Sequence, residues 1–285
     1  MPVLLPDPLH VALFLVTGAI GGFIAGLIGV GGGVIFGPVF FFYFRAIGVD
    51  DAILTPLVLG TSLFCTLAAS ASGTVSQLKK DGVHKRVALV TGGCAAVAVF
   101  LMSRFVTTQP WYNARTFQVV LGVVLLVVVV RMLRKSWQSR QGMAPATVGP
   151  VRTALPFLGG TGLAAGSLAA AAGVGGGVIL VPAYNSLVRL PLQRAVGTST
   201  ATIVLISLMG VATYALLGLG AGTPSTAVGY VDVGRGLLLA LPTMLTARLG
   251  VKAVYRLNVN VVRLVFAAFA AFVALRLLWE ALVGA

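Results

Sequence analysis

Two sets of residues have the type and spacing to hold a small anion without a counter-charge. The first is a pair of glycine triplets, Gly31-Gly32-Gly33 and Gly175-Gly176-Gly177. Gly29 and Gly173 precede them at the same offset, and Pro38 and Pro182 follow. Each glycine weakens a helix by about 1 kcal/mol relative to alanine, so the chain is expected to break there. The helix that restarts beyond the break begins with free N–H groups and the positive end of its dipole, a natural seat for an anion. The second set is the hydroxyls of Gly60-Thr61-Ser62 and Gly197-Thr198-Ser199, which donate hydrogen bonds without carrying charge. Thr66 and Thr202 lie about one turn beyond Ser62 and Thr198. Both sets also have a packing reading. Small residues let helices approach closely, as Gly18-x-x-x-Gly22-x-x-x-Gly26 suggests, and Ser and Thr bond back to their own helix.

Other chemistry is poorly supplied. The acidic residues are Asp7, Asp50, Asp51, Asp81, Asp232 and Glu280, and none falls mid-span in the segments given below. A membrane carboxylate relay or sodium cage is therefore not expected. His10 and His84 lie at segment edges, and Cys65 and Cys94 lie in apolar runs without a CxxC pair. No metal site, disulfide framework, cofactor or hydrolytic dyad follows from these, and enzyme activity is not expected. Gln77, Tyr184 and Asn185 sit near segment ends and read as interfacial, with lining of an entrance as the alternative. Arg45, Arg189 and Arg194 read as anchors beside the short segments, with gate charges as the alternative.

The elements that must position these residues are membrane helices. The chain has 285 residues, 58% hydrophobic and 9% charged, with a mean hydropathy of +1.03; soluble domains carry about a quarter charged residues. A bilayer core takes about 20 apolar residues per helix. The first half offers Leu9–Ile28, Val34–Phe44, Ala52–Val75, Val87–Phe105 and Phe117–Met132. The second offers Leu155–Ala172, Val178–Leu187, Ala195–Leu219, Val233–Leu249 and Val261–Leu282. The second segment of each half is too short to span as a straight helix. The fold class is an all-α polytopic membrane protein of two repeats, about five segments each, with 8–10 spanning or partial helices. Residues 1–135 form the first repeat, 136–154 a basic cytoplasmic linker and 155–285 the second repeat, together one transmembrane domain.

Loop charge orients the halves. Lys79, Lys80, Lys85 and Arg86 form one basic cluster. Arg131, Arg134, Lys135, Arg140 and Arg152 form a second, and Arg248, Lys252, Arg256 and Arg263 a third. All three are expected on the cytoplasmic side, with Arg104 and Arg115 as mild dissent. The stretches 1–9 and 220–231 lack Lys and Arg and are expected outside. Both termini then lie outside and the repeats have inverted topology. The net charge of +14 follows from this topology, not from nucleic-acid binding.

The stretches GFIAGLIGVGGGVIFGPVF and GSLAAAAGVGGGVILVPAY, with the two Gly-Thr-Ser elements and Gly229-Tyr230-Val231-Asp232, resemble the TauE/SafE family of sulfite exporters over nearly the whole chain. The resemblance implies a bacterial or archaeal inner-membrane permease for sulfite, sulfoacetate, other sulfonates or similar small sulfur anions. It lands on Gly29, Gly31, Gly32, Gly33 and Pro38, on Gly173, Gly175, Gly176, Gly177 and Pro182, and on Thr61, Ser62, Thr198 and Ser199. The first half has the run Phe40-Phe41-Phe42-Tyr43-Phe44 after its proline where the second has Tyr184-Asn185, so the site is not expected to be strictly symmetric. The expected partners are a small anionic substrate and lipid, with homo-oligomer formation left open. An anion channel with the same donors and a non-transporting scaffold are the competing readings.

Overall fold

A computed structural model describes residues 8–140, 151, 153–253 and 259–283. Asp7, the N-terminal stretch, most of the linker, Arg152, Arg256 and the last two residues lie outside the described residues. The chain forms ten helices among the described residues: α1 Pro8–Ile28, α2 Gly33–Ala46, α3 Asp51–Leu78, α4 Lys85–Met102, α5 Ala114–Arg140, α6 Leu155–Ala172, α7 Gly177–Ser186, α8 Leu192–Leu217, α9 Val233–Ala253 and α10 Val259–Val283. A π-helical turn, Ser103–Thr107, extends α4. Helix α5 runs on to Arg140, past the predicted start of the linker. Among the described residues, the one departure from an all-α chain is a ladder of β1 Ala227–Val228 with β2 Val231–Asp232, closed over Gly229 and Tyr230.

Seven helices of the described residues are long and apolar enough to cross a bilayer. Their outer faces carry exposed Leu, Val and Ile side chains, such as Leu13, Val16 and Ile20 on α1 and Leu241 and Leu245 on α9, the surface a lipid-facing helix needs. Trp111, Trp137 and Trp279 are all exposed near helix ends, where an interfacial belt places them. Helices α2 and α7 have 14 and 10 residues. At 1.5 Å per residue they reach about 21 and 15 Å, short of a core of about 30 Å.

The halves interleave. Helix α1 packs on α9, and α6, its equivalent, packs on α4. Glycines permit both contacts. A Cβ on Gly18, Gly22 or Gly26 would strike the carbonyls of Leu239, Thr243 and Ala247 in turn, and one on Gly162 or Gly166 those of Thr91 and Ala95. The packing reading of the α1 glycine row therefore holds. Both pairs run parallel, since position advances together along each. The equivalent helices α3 and α8 run antiparallel: Gly60 meets Tyr214, Gly210 meets Leu63 and Gly73 meets Thr200. Helices α5 and α10 are antiparallel too, with Gly122 against Leu278 and Gln118 Nε2 donating to Glu280 Oε2 at 3.3 Å.

Candidate functional site

Both glycine elements break the chain as their composition requires. Gly29, Gly31 and Gly32 have φ of 76°, 88° and 78°, and Gly173, Gly175 and Gly176 have 68°, 73° and 78°, a region open to glycine and costly for other residues. The two breaks cross in contact inside the protein. A Cβ on Gly33 would run into Gly173 O and Val174, and one on Gly177 into Val30 and Gly29 O. Thr66 of α3 and Ile203 of α8 each lie against both Gly31 and Gly175. They occupy equivalent positions in the two halves.

Beyond each break a half-helix begins. The first internal bonds return to Gly32 O from Ile35 and Phe36, and to Gly176 O from Ile179 and Leu180. Among the described residues, the N–H groups of Gly31, Gly32 and Gly33, and of Gly175, Gly176 and Gly177, make no protein hydrogen bond. The starts of the two half-helices, each with its unbonded N–H groups, therefore lie against the other half's break. Each end is equivalent to roughly +0.5 charge, so the pair sums to about one positive charge.

The serines keep the opposite charge away from the crossing. Ser62 Oγ donates to Gly173 O at 2.9 Å, and Ser199 Oγ donates to Gly29 O at 2.8 Å. Each half thus ties down the carbonyl at the other half's break. Helix α6 is held further: Tyr214 donates to Ala170 O at 3.1 Å and Tyr112 to Ala171 O at 2.7 Å. Burial and the neighbouring Tyr214 raise the pKa of Tyr112, which keeps it a donor.

The threonines of the same elements fasten the loops. Thr61 Oγ1 donates to Leu57 O at 2.7 Å and accepts from Asp232 N at 3.0 Å. Thr198 Oγ1 accepts from His84 N at 2.9 Å. His84 and Asp232 occupy equivalent positions: each accepts a hydrogen bond from the N–H three residues on, Val87 and Arg235. Gly60 and Gly197 complete the pattern, since a Cβ there would strike Tyr230 O and Gly82 O.

Residues 14–277 match the sulfite exporter TauE/SafE family. The chain belongs to that family. A probable membrane transporter protein of Haemophilus influenzae is 25% identical over 269 residues, 94% of this chain and 97% of that protein. One of Methanocaldococcus jannaschii is 25% identical over 242 residues, covering 84% and 85%. YunE of Bacillus subtilis, also named a probable membrane transporter protein, is 24% identical over 223 residues, covering 72% and 78%. No solved structure matches the chain. This TauE/SafE protein is a multi-pass membrane transporter, a permease rather than a member of an enzyme family.

Within the TauE/SafE chain, the structure brings the glycine elements, Ser62 and Ser199 together at the crossing. Thr61 and Thr198, one residue before each serine, turn to the loops instead. Pro38 and Pro182 lie inside α2 and α7, where each removes a helical N–H. The carbonyl of Val178, left without its partner at Pro182, receives Arg131 Nη1 at 3.2 Å instead. Gln77 and Tyr184, read from the sequence as interfacial, are fully buried within the protein: the loop at Gly82 folds over Gln77 and Tyr184 bonds Thr202 at 2.8 Å. Asn185 is part-buried and donates to Leu190 O. Arg45 joins Glu280 at 3.4 Å.

One cluster was missed in the sequence. Asp232 is 0% exposed and its Oδ2 meets Arg235 Nη1 at 2.6 Å. Arg235 Nε donates to Tyr43 Oη at 3.1 Å, and Thr226 Oγ1 donates to Asp232 Oδ1 at 2.9 Å. The i,i+3 spacing of an acid and a base at the mouth of an apolar helix was the available signal.

Proposed function

We propose that this permease is a secondary transporter of small sulfur-containing anions such as sulfite or sulfonates, working by alternating access between two inverted repeats. The observation that carries the reading is the crossing of the two glycine breaks. There lie the unbonded N–H groups of Gly31, Gly32, Gly33, Gly175, Gly176 and Gly177, and serine hydroxyls occupy the nearby carbonyls. Such a centre favours a single negative charge and offers hydrogen bonds in place of its water. Ser62 and Ser199 clamp the breaks, and Thr61 and Thr198 fix the loops behind them.

The inverted arrangement is supported by direction. Equivalent helices α3 and α8, and α5 and α10, run antiparallel, and the contacts of α1 with α9 and of α6 with α4 exchange the halves. Buried Asp232 is paired with Arg235, and any proton travels on or beside the anion. Both termini on the outer face, and the Lys79–Arg86 loop on the cytoplasmic face, complete the picture. Export from a bacterial inner membrane fits the family name.

The test is flux. Purified protein in liposomes, with insertion verified, takes up radiolabelled sulfite above empty vesicles, saturates with concentration and exchanges internal for external label. Absence of flux for sulfite and for simple sulfonates overturns the reading. Unsaturable current without exchange replaces it with a channel.

A further inference from the structure

Helices α3 and α8 are equivalent, yet their inner faces differ in one respect. On α3, the hydroxyls of Thr55, Thr66 and Thr74 and both amide atoms of Gln77 are shut off from solvent and have no hydrogen-bond partner. On α8, the one such atom is Ser207 Oγ among the described residues. The positions equivalent to Thr55, Thr66, Thr74 and Gln77 are Leu192, Ile203, Val211 and Tyr214. Three are aliphatic, and the Tyr214 hydroxyl is already bonded to Thr107 and Ala170 O.

The four α3 residues share one face. At 100° per residue they fall within an arc of about 100°. That face looks inward. The Cγ2 methyl of Thr66 lies against Gly31 and Gly175 at the crossing, with its unpaired Oγ1 on the adjoining branch of the same side chain, and Gln77 lies beneath Gly82 and Gly197, where a Cβ on either would press on its amide. Helix geometry does not force the hydroxyls to stay unbonded. Thr61 and Ser70 on the same helix bond back to the carbonyls of Leu57 and Thr66, as buried Ser and Thr usually do. A polar group left dry in an apolar interior is costly, and unpaired buried groups in native proteins mark function or bound water more often than accident.

We propose that the anion moves along this face of α3 from end to end, with α8 as an apolar wall, and that Gln77 is the recognition residue at the basic end. The inference rests on the transport reading above and deepens it. From the central N–H seat, Thr66 supplies the first side-chain donor. Thr74 and Gln77 lead towards the mouth carrying Lys79, Lys80, Lys85 and Arg86, and Thr55 leads the other way. The Gln77 amide both donates and accepts, so it suits an oxyanion that still carries a hydroxyl, such as hydrogensulfite, through one bond from Nε2 and one to Oε1.

The test uses Thr66→Val, Thr74→Val, Gln77→Leu and the control Ser207→Ala, with sulfite as the probe in liposomes. Sulfite flux is expected to fall by about tenfold or more in Thr66→Val and Gln77→Leu, the worth of one hydrogen bond at the transport barrier. Melting temperature in detergent should stay level or rise, because no protein hydrogen bond is lost. Ser207→Ala should stay within about twofold, since it lies off the path. Gln77→Leu should also flatten the rise in flux as falling pH converts sulfite to hydrogensulfite. Native flux with unchanged flux in Thr66→Val and Gln77→Leu overturns the α3 path and leaves the transport reading intact. An equal loss in Ser207→Ala overturns the asymmetry. A fall in melting temperature that tracks the fall in flux assigns the α3 residues to packing and overturns the proposal. No flux in the native protein defeats the underlying reading instead.

Discussion

Gly177→Ala separates the crossing from ordinary helix physics, because the two predict opposite signs. Gly177 opens α7 with no left-handed φ, so helix propensity alone favours alanine by up to about 1 kcal/mol. The space does not. The new Cβ would sit 2.5 Å from Val30 Cα, 2.7 Å from Gly29 O and 2.8 Å from Val30 C. All three are backbone atoms and cannot rotate aside. Ordinary contact needs about 3.5 Å or more, so the breaks must part by roughly 1 Å. Overpacking of this kind costs about 1–3 kcal/mol, which leaves a net loss of up to about 2 kcal/mol after the full propensity gain. At roughly 2–4 °C per kcal/mol, melting in detergent should drop by up to several degrees. Flux should suffer more than stability, because moving Gly29 also pulls its carbonyl off Ser199. Gly37→Ala, in α2, is the matched control: its Cβ would meet nothing nearer than Ala172 O at 3.6 Å and should be neutral or stabilising. If Gly177→Ala melts at or above the native temperature with native flux, the crossing is not a close backbone contact and the reasoning fails.

Ser62→Ala and Ser199→Ala each strand a buried carbonyl, at about 1–3 kcal/mol; both should lower the melting temperature and flux, and equal native values in the two variants would contradict the reciprocal clamp. Removing Arg235 alone leaves buried Asp232 unpaired, at about 3–5 kcal/mol. Arg235→Met should therefore express poorly, with Asp232→Asn/Arg235→Met recovering yield, and no recovery would place the cost elsewhere. Arg131→Met should destabilise by about 1 kcal/mol, whereas in a Pro182→Ala background, where an N–H returns to Val178 O, it should cost nothing; equal costs in both backgrounds would show that the proline and the arginine are not linked. Single cysteines beside His84 and Tyr230, in a chain lacking Cys65 and Cys94, should label from opposite faces of the membrane, and labelling from one face would rule out inverted repeats.

Much of the fold was legible because glycine and proline act locally. The repeated triplet dictates left-handed turns, and the apolar run after it ends too soon to span, so two half-helices could be read directly. The pairing of helices was not legible. Helix α1 finds α9 through glycines set against carbonyls, and a carbonyl carries no sequence signature. The hydroxyls of the Gly-Thr-Ser elements illustrate the same limit. Their recurrence announces a shared role, but their partners are main-chain atoms more than a hundred residues away, at Gly173, Gly29, Asp232 and His84. Gln77 looked interfacial because Lys79 and Lys80 follow at once. Only the fold shows a loop returning over it.

The interleaving of halves also sets a timetable for synthesis. When α1 enters the bilayer, the helix that fits its glycine row has not been made; Gly18, Gly22 and Gly26 must wait for Leu239, Thr243 and Ala247. The break at Gly29 waits in turn for Ser199. A nascent chain halted after α5 therefore holds an open glycine groove and an unclamped carbonyl, with nothing of its own to close either. Such a chain is a natural client for membrane quality control, and the first half expressed alone should be degraded unless the second is supplied beside it.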